Sequence, residues 1–199
     1  MIPDFFRQQR PHKGMTPLEY RRHFDRECGQ ARAAARTSVV DEHLKYLPLN
    51  WQRTVRIERT FTPSSRIQQA VKAIKCPQLW MVLTEPWCGD SAQNLPYIAG
   101  IAACSSCIDL RILLRDRNLD IMEAYLTQGT QSIPKLVSFD LRGGELFQWG
   151  PRPQPAAELF HRLKEAGTPI EDVRLKLHLW YARNHGRALE EEFLLLLAS

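Results

Sequence analysis

The sequence predicts an α/β protein: a mixed β-sheet flanked by helices, with extra helices at the N-terminal and C-terminal ends. Three observations carry that expectation. Leu79-Trp80-Met81-Val82-Leu83 is a short, wholly apolar run, the pattern of a strand buried on both faces. From there to residue 166, strand-length apolar stretches alternate with helical periodicity in the order β-α-β-α-β-β-α. The elements read before residue 76 and after residue 169 are all helices. At 199 residues the chain can hold one sizeable α/β domain with an appended helical layer, but not two large domains. The expected division is a helical extension over 1–60, the α/β domain over 61–168 and a second helical extension over 169–199.

Each element has its own signal. Thr16-Pro17-Leu18-Glu19 reads as a helix start, with a hydroxyl cap, proline at the first position and glutamate at the third, and the helix is expected to end near Gly29. Residues 41–59 carry Leu44, Leu47, Leu49, Trp51, Val55 and Ile57 in a mixed pattern read as a helix. Thr62-Pro63-Ser64-Ser65 breaks it, and Ile67, Ala70, Val71 and Ile74 mark a further helix up to Lys75. After the strand at 79–83 come a helix at 91–103, a strand at 108–114 and a helix at 119–126 closed by Gly129. Strands at 135–139 and 145–149 flank Leu141-Arg142-Gly143-Gly144 and read as a hairpin. A helix at 156–166 places Leu159, Phe160 and Leu163 on one face, and two more helices fill 170–198, parted near Asn184-His185-Gly186. The glutamates at 190–192 read as structural, favoured by the dipole of the last helix.

The composition, 44% hydrophobic and 25% charged, is that of a globular protein. The net charge of +5 is unevenly spread: residues 1–75 hold 15 Lys and Arg against 7 Asp and Glu, whereas 76–199 hold 12 against 15. The N-terminal arginines, from Arg7 to Arg66, lie between apolar residues at helical spacing. They read as a solvated helical face, so neither nucleic acid nor a membrane is expected as partner. Residues 1–14 lack a signal-peptide core, and the apolar stretch at 193–198 is too short to span a bilayer, which points to a cytoplasmic protein. Five cysteines, odd in number and unevenly spaced, suggest reduced thiols rather than a disulfide framework.

The informative text is Leu83-Thr84-Glu85-Pro86-Trp87-Cys88-Gly89-Asp90-Ser91-Ala92-Gln93-Asn94-Leu95-Pro96. It sets Cys88 after a buried strand and immediately before a helix, where first-turn N–H groups point at the sulfur. That position is expected to favour thiolate over thiol and to depress the cysteine's pKa. The plain alternative is a small buried hydrophobe.

Trp87-Cys88-Gly89 at a strand-to-helix turn, Pro96 inside the following helix, and Ile133-Pro134 some 45 residues later resemble the thioredoxin family. The likeness covers about residues 60–166. Longer phrases, Trp-Cys-Gly-Asp-Ser-Ala-Gln-Asn-Leu-Pro, Leu-Arg-Asp-Arg-Asn-Leu-Asp, Ser-Ile-Pro-Lys-Leu and Trp-Gly-Pro-Arg-Pro, resemble a bacterial thioredoxin-like branch. The resemblance implies a thioredoxin-like fold with Cys88 as attacking nucleophile and Trp87 as the aromatic flank shielding it. It further implies Pro134 as a cis-proline facing the sulfur, leaving the Ile133 backbone free to pair with an extended substrate. Pro134 could also be an ordinary strand-start proline.

Two departures narrow the reading. The second cysteine of a typical member is replaced by Ser91, which can hydrogen-bond a thiolate but cannot resolve a mixed disulfide. The buried acid that some members carry six residues before the nucleophile is here Val82.

Cys104 and Cys107 invite a redox or zinc reading, but sixteen residues of helix at ~1.5 Å rise put Cys104 about 24 Å from Cys88. A disulfide needs Cα atoms within ~7 Å. Cys76 belongs to the opposite end of the strand, and only Cys28 is geometrically free to act as a resolving thiol. Asp90 and Glu85 flank the sulfur and could relay a proton, or simply favour a helix start. His185, with Trp180 and Tyr181, reads as a helix junction.

The expected function is therefore a monothiol (CxxS) thiol–disulfide oxidoreductase without a cofactor, with Cys88, Ser91, Trp87 and Asp90 catalytic and Ile133, Pro134 and Trp87 binding substrate. Its partner would be a disulfide-containing protein, or a small thiol such as glutathione or bacillithiol. The competing expectation is a non-catalytic binding or adaptor module on the same fold.

Overall fold

The central strand β1 (Gln78–Thr84) pairs in parallel with β2 (Ile108–Leu114) and antiparallel with β3 (Lys135–Asp140), and β3 pairs antiparallel with β4 (Glu145–Trp149). The sheet order is β2-β1-β3-β4. This is a computed structural model, and it describes residues 2–34 and 44–198. Register sets Val82 opposite Ile112 and Met81 opposite Val137, with a bulge between Ser138 and Phe139.

Alternation along β1 divides the core in two. Trp80 and Val82 face a layer made by α2 (Pro17–Ala34), α3 (Leu47–Thr60), α4 (Ser65–Lys72), α5 (Gly89–Ala102) and α9 (Arg187–Ala198). Leu79, Met81 and Leu83 face α1 (Asp4–Arg7) and α6 (Leu119–Glu123), through Phe5, Phe6, Ile121 and Met122. A third cluster joins α7 (Gln154–Glu165) to α8 (Ile170–Asn184) through Ala156, Val173, Leu177 and Tyr181. The fold is thioredoxin-like α/β, a mixed sheet with helices on both faces.

Several boundaries follow the signals that foretold them. The Thr16 backbone N–H donates to Glu19 Oε2 at 2.8 Å while the Glu19 N–H reaches Thr16 Oγ1 at 3.3 Å, a reciprocal cap at the start of α2. Ser64 caps α4, and β2 and β4 occupy the residues their patterns delimited. Other boundaries differ. α2 does not stop at Gly29 but continues to Ala34, because Cys28 and Ala31 bury on the same face and outweigh the ~1 kcal/mol that a mid-helix glycine costs. α3 starts at Leu47 after a 3₁₀ turn at Leu44–Tyr46; residues 41–43 of the expected helix lie outside the described residues. α4 and α6 end three residues early, at Lys72 and Glu123.

The acidic triplet of α9 makes specific bonds. Glu190 accepts the Ser64 N–H at 2.9 Å, and Glu192 accepts both Trp149 Nε1–H and the Gln154 N–H at 2.6 Å. Phe193 packs on Trp80 and Trp149, with ring centroids 5.6 and 5.7 Å apart. Among the described residues no helix is long and apolar enough to cross a membrane.

Candidate functional site

β1 delivers the chain to the site. Beyond Thr84, the segment Glu85-Pro86-Trp87 turns outward, and Cys88 becomes the N-cap of α5 with an extended backbone (φ −77°, ψ 119°). The Ser91 N–H donates to Cys88 Sγ at 3.4 Å, as a capping serine oxygen would accept it. The Cys88 S–H in turn donates to the carbonyl of Ile133 at 3.3 Å. That bond sets Ile133, just before β3, across from the helix start, and Ile133-Pro134 is a cis peptide.

The resulting electrostatics differ from those expected of a helix N-terminus. Burial pushes the Cys88 thiol up to about 11, and the Asp90 carboxylate adds to the rise, against the Ser91 hydroxyl and the N–H groups of Ser91 and Asp90. The Ile133 carbonyl works in the same direction, since an acceptor 3.3 Å from sulfur suits S–H and repels an anion. Cys88 therefore rests as a thiol. The expectation of a depressed pKa is corrected: within one helical turn, desolvation and a neighbouring carboxylate outweigh the N–H groups. The Ile133 backbone is also not wholly free, because the thiol occupies its carbonyl.

Ser91 is buried; its hydroxyl makes no hydrogen bond of full geometry but lies near enough to the Cys88 sulfur to favour the thiolate. Trp87 is partly buried beneath the guanidinium of Arg115, 4.9 Å from the ring centroid. Glu85 is buried and accepts the Asp116 N–H at 2.9 Å; burial raises its pKa.

Asp90 is the hub of a network that sequence reading missed. Its carboxylate pairs with Arg152 at 2.7 Å and accepts the Tyr181 hydroxyl at 2.8 Å, while the Asn94 amide donates to Tyr181 Oη at 3.1 Å. The Arg152 guanidinium sits 4.2 Å from the Phe160 ring centroid. From the other side, Asn50 on α3 donates to the carbonyls of Pro86 at 3.2 Å and Trp87 at 2.9 Å, and accepts from Arg53 at 2.9 Å. Helices that read as extensions thus hold the Cys88 turn from both flanks. The signals available were an arginine between two prolines at 151–153, and His178 and Tyr181 three residues apart on one helix. His185 itself ends α8 in a left-handed conformation (φ 54°).

His178 lies against the site as well. A Cβ on Gly89 would sit 3.2 Å from its ring, a tight contact that His178 would have to ease by a few tenths of an ångström. Burial, then Arg53 and Arg174, push His178 down to about 4. An unfolded histidine takes up its proton near pH 6.5, so folded-state stability is lost as pH falls from about 6.5 towards 4. His178→Gln should abolish about 2 kcal/mol of that acid loss, read as a smaller drop in melting temperature between pH 7 and pH 4.5 than the parent shows. An unchanged drop would refute the assignment.

All five cysteines are free. Cys28 is buried, donates to the Leu47 carbonyl at 3.5 Å and is pushed up to about 11 by burial. Cys104 lies just past the far end of α5 and donates to the Gly100 carbonyl at 3.4 Å. Among the described residues no three His, Cys, Asp or Glu side chains are grouped to hold a metal ion.

Comparison with known proteins agrees with this architecture. A family model described as Thioredoxin (Thioredoxin_9) matches residues 38–166, more than half of the chain. The chain belongs to that thioredoxin family. Among solved structures it is similar to a protein of unknown function from Pseudomonas aeruginosa, with 18% identity, TM-score 0.57, and coverage of 75% of this chain and 84% of that one. It is equally similar to an HIV epitope-scaffold, with 18% identity, TM-score 0.57 and 85% of that chain covered. These likenesses concern the fold alone. No curated protein matches the chain.

Proposed function

We propose that the protein is a monothiol thiol–disulfide exchange protein whose nucleophile is Cys88. The observation that carries this reading is the sulfur's surroundings: the Ser91 N–H points at it, and the buried Ser91 hydroxyl lies close enough to favour its thiolate. A hydroxyl so placed can donate to a thiolate but cannot itself enter exchange.

In the first step Cys88, deprotonated to solvent, attacks one sulfur of a disulfide. A Cys88–S bond forms, the substrate S–S bond breaks, and the leaving thiolate takes up a proton. In the second step one external thiol attacks the substrate-derived sulfur of the mixed disulfide, Cys88 is released reduced, and that sulfur leaves in a new disulfide with the external thiol; the net reaction is exchange, one external thiol consumed for the one substrate thiol set free. Ser91 supplies no sulfur, so the second thiol comes from solution, of the glutathione or bacillithiol kind, which suits a reducing compartment such as the cytoplasm.

The experiment is adduct mapping. After incubation with glutathione disulfide across pH 7–10, mass spectrometry should find the adduct on Cys88, more at higher pH, and none there in Cys88→Ser. An adduct on Cys104 or Cys107 with Cys88 untouched would move the site. The buried, protonated state of Cys88 favours a second reading, a binding module without turnover; Cys88 inert throughout that pH range would support it.

A further inference from the structure

We infer that the cleft between α3 and α8, beside Gly89, is a carboxylate-binding subsite that seats a small, carboxylate-bearing thiol or disulfide next to Cys88. This inference rests on the exchange reading above and names its substrate class.

The argument begins with Arg53. Its guanidinium is partly buried, and burial lowers its pKa, yet among the described residues no carboxylate lies within ion-pair distance of it. Its hydrogen bond goes to the neutral Asn50, and the closest acidic candidate, Asp90, is already taken by Arg152 and Tyr181. Asp90 therefore acts on Arg53 only through its field, and a partly desolvated cation without a direct ion pair can attract a further anion.

The neighbours reinforce it. Arg56 lines the same cleft, and the field of Arg53 and Arg174 contributes to keeping His178 neutral. The Gln93 side-chain amide contacts His178 Nδ1 at 3.3 Å, and both residues line the cleft. One wall of the cleft is apolar, formed by Leu175 and Leu179, which are 60% and 48% exposed. The cleft measures about 310 Å³, at the small end of ligand sites and too small for a folded partner to enter. Donors on one side and aliphatic carbon on the other fit a short peptide-like molecule with a free carboxylate.

Position links the cleft to the chemistry. A Cβ on Gly89 would lie 3.2 Å from His178 and 4.0 Å from the Arg53 guanidinium, and Gly89 follows Cys88 in the chain. An anion held by these side chains would lie on the flank of α5's first residue, the neighbour of Cys88 in the chain.

Calorimetric titration of the full chain with S-methylglutathione tests this, because the thioether cannot exchange. Binding is expected, about tenfold weaker in Arg53→Gln, partly restored in Arg53→Lys, and absent for the dimethyl ester. Arg56→Gln, at an exposed position, should weaken binding severalfold and guards against a folding defect in the Arg53 variants. No binding, or equal binding by the ester or by Arg56→Gln together with Arg53→Gln, would overturn the subsite. Exchange at Cys88 is followed in parallel with neutral 2-hydroxyethyl disulfide. If that reagent labels Cys88 while S-methylglutathione fails to bind, the subsite falls and exchange stands; the reverse pattern leaves the subsite and removes exchange.

Discussion

Asp90→Asn is expected to make Cys88 react at neutral pH at least about tenfold faster. Two effects act in the same direction. The carboxylate that disfavours a neighbouring thiolate is removed, and Arg152, which it neutralised at 2.7 Å, is left as a net positive charge beside the sulfur. Both lower the Cys88 pKa from about 11, and each unit gained multiplies the thiolate present at pH 7 by ten. Asparagine keeps an oxygen for the Tyr181 hydroxyl, so the turn should hold its shape. The measurement is the rate of iodoacetamide alkylation of Cys88 from pH 6 to 11; a profile superimposable on the parent's would refute the role given to Asp90. The variant should also lose stability, by about 3 kcal/mol, because an Arg152 side chain only 18% exposed loses its carboxylate.

Gly150→Ala should be the most damaging single-methyl change near the site. Gly150 has φ +113°, and a Cβ there would lie 2.2 Å from the Pro134 carbonyl oxygen, a backbone atom that cannot rotate away. Relief requires the end of β4 to separate from the start of β3, and so moves the residue pair that faces Cys88. A loss of at least about 3 kcal/mol is expected, a fall in melting temperature of roughly 6–12 °C for a chain of this size. Gly129→Ala is the matched control: its φ is +74°, but a Cβ there meets nothing within 4 Å, so only about 1 kcal/mol should go. Equal melting temperatures for the two variants would show that strain in φ, and not the collision, sets the cost.

The sheet was legible because its strands announce themselves locally. The apolar run at 79–83 has the length and pattern of a strand buried on both faces, and Gly143-Gly144 between two short apolar stretches marks the hairpin. The four-residue α1 was not legible: it is too short for periodicity, and Phe5 and Phe6 owe their burial to Phe139, far along the chain. The position of Cys88 at a helix start was equally local, and it was read correctly. Its protonation state was not, because that depends on burial and on the Ile133 carbonyl, which sequence does not place. Arg152, Tyr181, Asn50 and Arg53 escaped for the same reason. Each acts on the turn from 35 or more residues away, and only the packing of α3, α7 and α8 brings them there.

The anchoring of α8 has a kinetic consequence. It is pinned to α7 by Val173, Leu177 and Tyr181, and α9, which follows it, is clasped to the core by Phe193, Glu190 and Glu192. A segment fastened at both ends cannot swing aside like a free tail; it can only breathe. Reagents too bulky to reach the buried Cys88 sulfur at rest must wait for such openings, and above some size their rates should converge on one ceiling set by the protein's own fluctuations, whatever the intrinsic reactivity of the reagent.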